Sequence, residues 1–158
     1  MAITNFSKLS KEKLKSFSKL KIKKERSRQG KFLIEGLRLC EEAVESDWPI
    51  ESVLHIRSFE QKARGEKLLR KLRKRGANLI LVKNQVLATL SETVTAQGII
   101  CVAKTKTPLV QYLWGKDLEV ILALDGISDP GNVGALIRTA DAFGVDAVLL
   151  SDDTVELY

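Results

Sequence analysis

Long apolar runs are missing from this 158-residue chain. The longest, such as Val120 to Leu124 and Ala147 to Leu150, fall far short of the roughly 20 residues a membrane-spanning helix needs. The lysine-rich start also has no signal-peptide core. No membrane role is indicated, and a cytoplasmic location is the expectation. Cysteine is scarce too. Cys40 and Cys101 stand far apart, with no Cys or His near either at metal-ligand spacing, so neither a disulfide framework nor a metal site is expected. Both read as reduced packing residues. Histidine occurs once, at His55, in a strand-like run that suits a structural or surface role better than catalysis. With 44% hydrophobic residues, the chain has the makings of one ordinary globular domain, or of a small domain plus part of another.

Charge is plentiful but unevenly placed. The formal net charge of +6 hides +9 over residues 1–31, +4 over 32–118 and −7 over 119–158. A polyanion would be drawn to the first two regions by phosphate contacts and counterion release, without sequence choice. A solvated lysine-rich helix face accounts for the same charge equally well.

The first 30 residues read as a basic helix or arm, with Phe6, Leu9, Leu14, Phe17, Leu20 and Ile22 interleaved among lysines from Lys8 to Lys31. Residues 31–103 then alternate between strands and helices. Strands are expected at Phe32–Ile34, Ile50–Arg57, Leu79–Val82 and Ile99–Ala103, and helices at Gly36–Ser46, Phe59–Arg75 and Gln85–Leu90, with a polar turn at Ser91–Gly98. In the second helix Ala63, Leu68, Leu69 and Leu72 are the apolar positions among many cations. This order predicts a compact α/β domain with a mostly parallel sheet covered on both faces. Residues 104–118 read as a linker holding a short helix that uses Leu109, Tyr112, Leu113 and Trp114. Residues 119–158 supply a β-α-β unit: strand Val120–Leu124, helix Val133–Phe143 and strand Ala147–Leu150, with a right-handed crossover. Three elements cannot bury both faces of a sheet.

The turn inside that unit carries the chemistry. Pro130 holds Asp129 extended, Gly131 permits a sharp turn, and Asn132 is placed to cap the helix. Val133, Leu136, Ile137 and Ala140 form an apolar stripe, while Gly134, Arg138 and Asp141 follow at spacings of four and three. Helical side chains lean toward the N-terminus, so Arg138 should lie over Gly134, in a pocket suited to a phosphate or a ribose oxygen. The plainer reading makes Asn132 a cap only, Gly131 and Gly134 turn and packing glycines, and Arg138 a partner for Asp141. Neither a G-x-G-x-x-G fingerprint nor a P-loop is present.

The segment from Asp125-Gly126-Ile127-Ser128-Asp129-Pro130-Gly131-Asn132-Val133-Gly134 to Arg138-Thr139-Ala140-Asp141-Ala142-Phe143-Gly144 closely resembles the first of three motifs of the SpoU (TrmH-like) branch of the SPOUT RNA methyltransferases. The front resembles that family's substrate-binding domain. Lys23-Lys24-Glu25-Arg26 leads to Phe32-Leu33-Ile34-Glu35-Gly36, and Leu90-Ser91-Glu92-Thr93 leads to Gln97-Gly98-Ile99.

The resemblance implies a small ribosomal-protein-like α/β RNA-binding domain followed by the truncated start of a knotted SPOUT methyltransferase domain, which dimerises in the family. It implies methyl transfer from S-adenosylmethionine to a ribose 2′-hydroxyl of structured RNA, with ribosomal RNA favoured over transfer RNA. Asn132 and Arg138 become the candidate catalytic residues, and Lys23, Lys24, Arg26, Arg28, Lys31, Glu35 and Gln97 the candidate RNA-binding residues. The family's second and third motifs have no counterpart here. The expectation is therefore a fragment without a donor site, inactive alone. Smaller departures are Ala96, where a proline often precedes the Gln-Gly pair, and an arm lacking an asparagine common near its start. Two other readings stand beside this one: a non-catalytic RNA-binding accessory module, and a tail from an unrelated nucleotide-binding enzyme.

Overall fold

The computed structural model describes residues 9–91, 97–106 and 110–158, arranged as two compact units, Met1–Thr105 and Lys106–Tyr158. Phe6 and Lys8 of the arm, residues 92–96 of the polar turn and residues 107–109 of the linker lie outside the described residues, as does the side chain of Tyr112.

In the first unit the arm folds as two helices rather than one, α1 (Lys11–Lys19) and α2 (Lys23–Gln29). Ser10 caps α1 by accepting the Lys13 N–H at 3.1 Å, and the chain turns at Leu20 and Ile22, where Leu20 plunges into the core. No glycine or proline marks that break. Gly30, at φ +60°, ends α2 and sends the chain into β1 (Lys31–Glu35).

After β1 come α3 (Leu37–Glu45), β2 (Ile50–His55), α4 (Arg57–Glu60), α5 (Ala63–Lys74), β3 (Asn78–Leu81), α6 (Asn84–Leu90) and β4 (Ile99–Lys104). The predicted helix Phe59–Arg75 is therefore two. Gly65 of α5 packs so closely on the Phe59 carbonyl that a Cβ there would lie 2.2 Å from the oxygen. Ala63, expected in the apolar stripe, faces solvent.

The sheet runs in the order β1-β4-β2-β3 and is mixed, not mostly parallel. Only β2 and β3 pair parallel, because the last strand, β4, inserts antiparallel between β1 and β2. A helix between two strands permits a parallel crossover but does not require one: α6 joins β3 to β4, which run in opposite directions. Both faces are covered. Alternate strand residues Ile34, Val53, Leu79, Ile99, Cys101 and Ala103 face one layer with Cys40 and Val44 of α3 and Leu68, Leu69 and Leu72 of α5. Their neighbours Leu54, Ile80, Ile100 and Val102 face the other, with Phe17, Leu20, Leu87 and Leu90. Of the apolar stripe of the basic arm, Phe17 and Leu20 are core, Leu9 and Leu14 pack partly buried against it, and Ile22 is exposed. Cys40 and Cys101 are free, buried thiols.

The second unit holds a 3-10 turn (Val110–Leu113), β5 (Ile121–Leu124), α7 (Pro130–Ala142) and β6 (Ala147–Leu150), with β5 and β6 parallel and in register from Ile121↔Ala147 to Leu124↔Leu150. Val133 and Ala140 are the buried residues of α7.

Candidate functional site

The turn between β5 and α7 is built from three devices. Asp129, extended before Pro130, is the N-cap of α7, and its Oδ1 accepts the Asn132 N–H at 2.7 Å. The predicted cap, Asn132, is instead inside the first turn as the residue whose amide is capped. Proline is favoured at the first helical position, where its missing N–H would have had no partner, so the helix begins three residues earlier than a cap at Asn132 would set it.

Hydroxyls at the end of β6 hold the turn from the other side. Ser151 Oγ accepts the Gly126 N–H at 3.2 Å and lies 3.2 Å from Thr154 Oγ1, which donates to the Leu124 carbonyl at 3.0 Å. The Val155 N–H completes the seam by donating to the Ile127 carbonyl at 2.8 Å. Sequence reasoning missed Ser151 and the buried Thr154, although the cluster Ser151-Asp152-Asp153-Thr154 after a strand is itself a turn signal. At the opposite end of the strand pair, Asp146 accepts the Glu119 and Val120 N–H groups, both at 2.9 Å, and these bonds hold its carboxyl below the usual range.

Arg138 is where helical geometry puts it, over Gly134, with Nη1 3.3 Å from the position of a Cβ on that residue. The guanidinium is exposed and makes no hydrogen bond or ion pair among the described residues, so the pairing with Asp141 is not formed. Asn132 is exposed as well. Six residues along a helix put the two candidates about 9 Å apart along its axis and about 120° apart around it, so α7 presents them in different directions. The whole turn lies at the carboxyl ends of parallel strands, where open α/β sheets receive ligands.

In the first unit the candidate RNA-binding residues divide. Lys23 and Lys24 are exposed in the first turn of α2 and without partners among the described residues. Arg26 is half-buried, its Nη1 donating to the carbonyls of Leu20 and Lys21 at 3.2 and 3.0 Å, which caps the end of α1. Arg28 pairs with Glu25 at 2.7 Å, raising its own pKa and lowering that of Glu25, and still leaves 63% of its side chain exposed. Lys31 pairs with Glu51 at 2.7 Å.

Glu35 accepts the Ser91 hydroxyl, and Gln97 Oε1 accepts the Leu37 N–H at 3.3 Å. Gly36 between them, at φ +97°, has Gln97 Oε1 2.7 Å from where a Cβ would sit, so only glycine fits. Lys21 Nζ donates to the Ser91 carbonyl at 3.0 Å and ties the start of α2 to this end of the sheet. Glu35 and Gln97 thus lie at one end of β1, flanking Gly36, while Lys31, four residues back along the strand, lies about 13 Å away at the other end.

Comparison with known proteins finds matches over both units. The family described as MRM3-like substrate binding domain matches residues 11–101, and the SpoU rRNA Methylase family matches residues 119–158. The chain is 32% identical over 147 residues to the 23S rRNA (guanosine(2553)-2'-O)-methyltransferase RlmP of Bacillus subtilis, covering 93% of this chain and 54% of that protein. It is 33% identical over 142 residues to mitochondrial rRNA methyltransferase 3 of Xenopus tropicalis, covering 87% and 33%. Among solved structures, the AdoMet-bound rRNA methyltransferase from Sinorhizobium meliloti superposes with a TM-score of 0.79 at 25% identity, over 96% of this chain and 56% of that one. The SpoU methyltransferase AviRb from Streptomyces viridochromogenes, in complex with the cofactor AdoMet, superposes with a TM-score of 0.81 at 24% identity, over 94% and 56%. The chain thus spans about half the length, or less, of the relatives it matches.

Proposed function

This chain belongs to the SpoU rRNA methylase family, carrying an MRM3-like substrate-binding domain ahead of methylase residues 119–158, and from that premise we propose that it serves the 2′-O-methylation of ribosomal RNA. The first unit holds the RNA, and the second presents a target ribose to S-adenosylmethionine. The observation that carries this reading is Arg138, an exposed guanidinium without a partner, laid over a glycine on the helix that opens from a parallel strand pair.

S-adenosylmethionine, when bound, supplies a methyl group on a sulfonium centre. A ribose 2′-hydroxyl is a weak nucleophile near neutral pH, so the protein must align it and stabilise the charge left as its proton departs. Arg138 suits that task. Its guanidinium stays charged and offers two parallel donors to a phosphate or a developing alkoxide, which a lysine does not. Asn132, exposed in the first turn of α7, shapes the ribose side of the same turn. The residues present fit one wall of a donor site: residues 128–132 are all exposed, so protein would lie on only one side of a bound donor. For that reason the 158 residues alone transfer no methyl group in this reading, and the enclosing wall and the dimer belong to the family's complete catalytic domain. The setting is cytoplasmic.

Mapping 2′-O-methyl groups on large-subunit ribosomal RNA from cells with and without the gene tests the activity. One mark should vanish; an unchanged map, with RNA binding intact, would leave an accessory RNA-binding module. Incubating the purified chain with labelled donor and ribosomal RNA should give no incorporation, and turnover would overturn the one-wall argument.

A further inference from the structure

Helix α5 carries a charged surface that has no task in the reading above. From Lys62 to Arg75, eight cations stand against Glu66 alone. Helical geometry sorts them. Gly65, Leu68, Leu69 and Leu72 are buried, and at about 100° per residue Lys67, Arg70 and Lys74 project from the opposite side. Spaced by three and four, they form one solvent-facing row about 10 Å long. Lys67 and Lys74 make no hydrogen bond or ion pair among the described residues, while Arg70 pairs with Glu66 of its own helix. The carboxylates of α3 engage the flank, where Glu41 pairs with Arg64 and Glu45 lies 4.0 Å from Lys71, and of the row only Lys67 comes near enough to help hold the Glu41 carboxyl below its usual range.

The chemistry of the row selects its partner. A helix that inserts into a lipid surface needs a free apolar face, and the apolar face of α5 is already buried against Val53 and Leu79 of the sheet. A protein interface is rich in aromatic anchors and poor in lysine, whereas the only apolar residue on this side of α5 is Ala63. A row of cations without apolar anchors matches a phosphate backbone.

Position adds the second half of the inference. Val53 and Leu79 pack beneath α5, while their neighbours Leu54 and Ile80 pack beneath α1, so α5 and the basic arm occupy opposite faces of one sheet. A single straight stem cannot lie against both. We propose that Lys67, Arg70 and Lys74 form a second phosphate-contact surface, which holds a stretch of RNA different from that bound by the α1–α2 arm, so that the domain is clasped between two RNA segments. This rests on the reading that the chain binds ribosomal RNA.

The test compares the 158-residue chain with two variants, Lys67→Gln/Arg70→Gln/Lys74→Gln and Lys23→Gln/Lys24→Gln, on a large-subunit ribosomal RNA transcript over a salt series. Each lost phosphate contact removes about 0.7–0.9 from the slope of log affinity against log salt, so the α5 variant should lose about 2 to 3 and the arm variant about 1.5. Backbone footprinting should show protections lost at separate nucleotides in the two variants. Thermal melting should be unchanged, since all five side chains are exposed, and Lys67→Arg/Lys74→Arg should bind as the parent does. An α5 variant with parental slope and footprint, beside an arm variant that loses both, overturns the second surface and leaves the ribosomal RNA reading intact. Loss of the same protections in both variants overturns the two-segment clasp. Competition by polyglutamate as effective as by RNA of equal charge would assign α5 to an acidic protein, and a parent chain without salt-dependent RNA binding removes both readings.

Discussion

His55 ends β2 with no exposed surface, and burial holds its ring below the ordinary pKa of 6.5. The Ile56 carbonyl, 3.4 Å from Nδ1, and Glu60 pull the other way, and Arg57 adds to the burial effect. The sign follows. The unfolded ring takes up a proton as pH falls through about 6.5, the folded ring does not, and stability present at neutral pH declines below that point. Because the chain has one histidine, urea unfolding at about pH 7.5 and about pH 5.5 should show a loss in the parent that His55→Gln abolishes. Equal stability of the parent at both would mean that the folded ring charges freely. Two glycines make a contrast at the same scale. Gly36→Ala should cost about 1–3 kcal/mol, because both its φ of +97° and Gln97 oppose a Cβ. Gly134→Ala should instead raise stability by about 1 kcal/mol, since it lies within α7 and meets only the flexible end of Arg138. Both are read from unfolding midpoints, and a Gly134→Ala loss would show that Arg138 cannot yield.

Among the elements, α7 was legible in its period and illegible in its start. Asn132 and Asp129 are both good caps, and only the proline between them decides, by taking the first helical position. Asp129→Ala should therefore cost about 1 kcal/mol and speed amide exchange at Asn132, while Asp129→Asn retains most of the protection. Unchanged exchange in the alanine variant would show that the Oδ1 bond holds nothing. The arm failed differently. Its lysine-and-leucine spacing is continuous from Leu9 to Ile22, and the break after α1 comes from Leu20 entering the core and Arg26 capping the freed carbonyls. That is a tertiary event with no local marker. Arg26 and Lys31 also looked like the other cations of the arm, and only the fold shows that they are engaged with its own carbonyls and with Glu51.

For the whole molecule, the sheet is the organising object, since one set of four strands supplies both buried layers of the first unit. Leu54 and Leu69, each fully buried in a different layer, should each cost about 2–5 kcal/mol on truncation to Ala and should move a single unfolding transition of that unit. Two separable transitions within it would show that the layers fold independently. Local signals are carried by side-chain period and turn chemistry, which is why the sequence by itself determined the strands, helices α3 and α6, the β-α-β order of the second unit and the placement of Arg138 over Gly134. Strand order is a long-range choice. Only the tertiary structure decided that β4 enters antiparallel between β1 and β2, that Ser151 and Thr154 hold the β5–α7 turn, and that the basic helices α1 and α5 lie on opposite faces, because each depends on which buried surfaces meet.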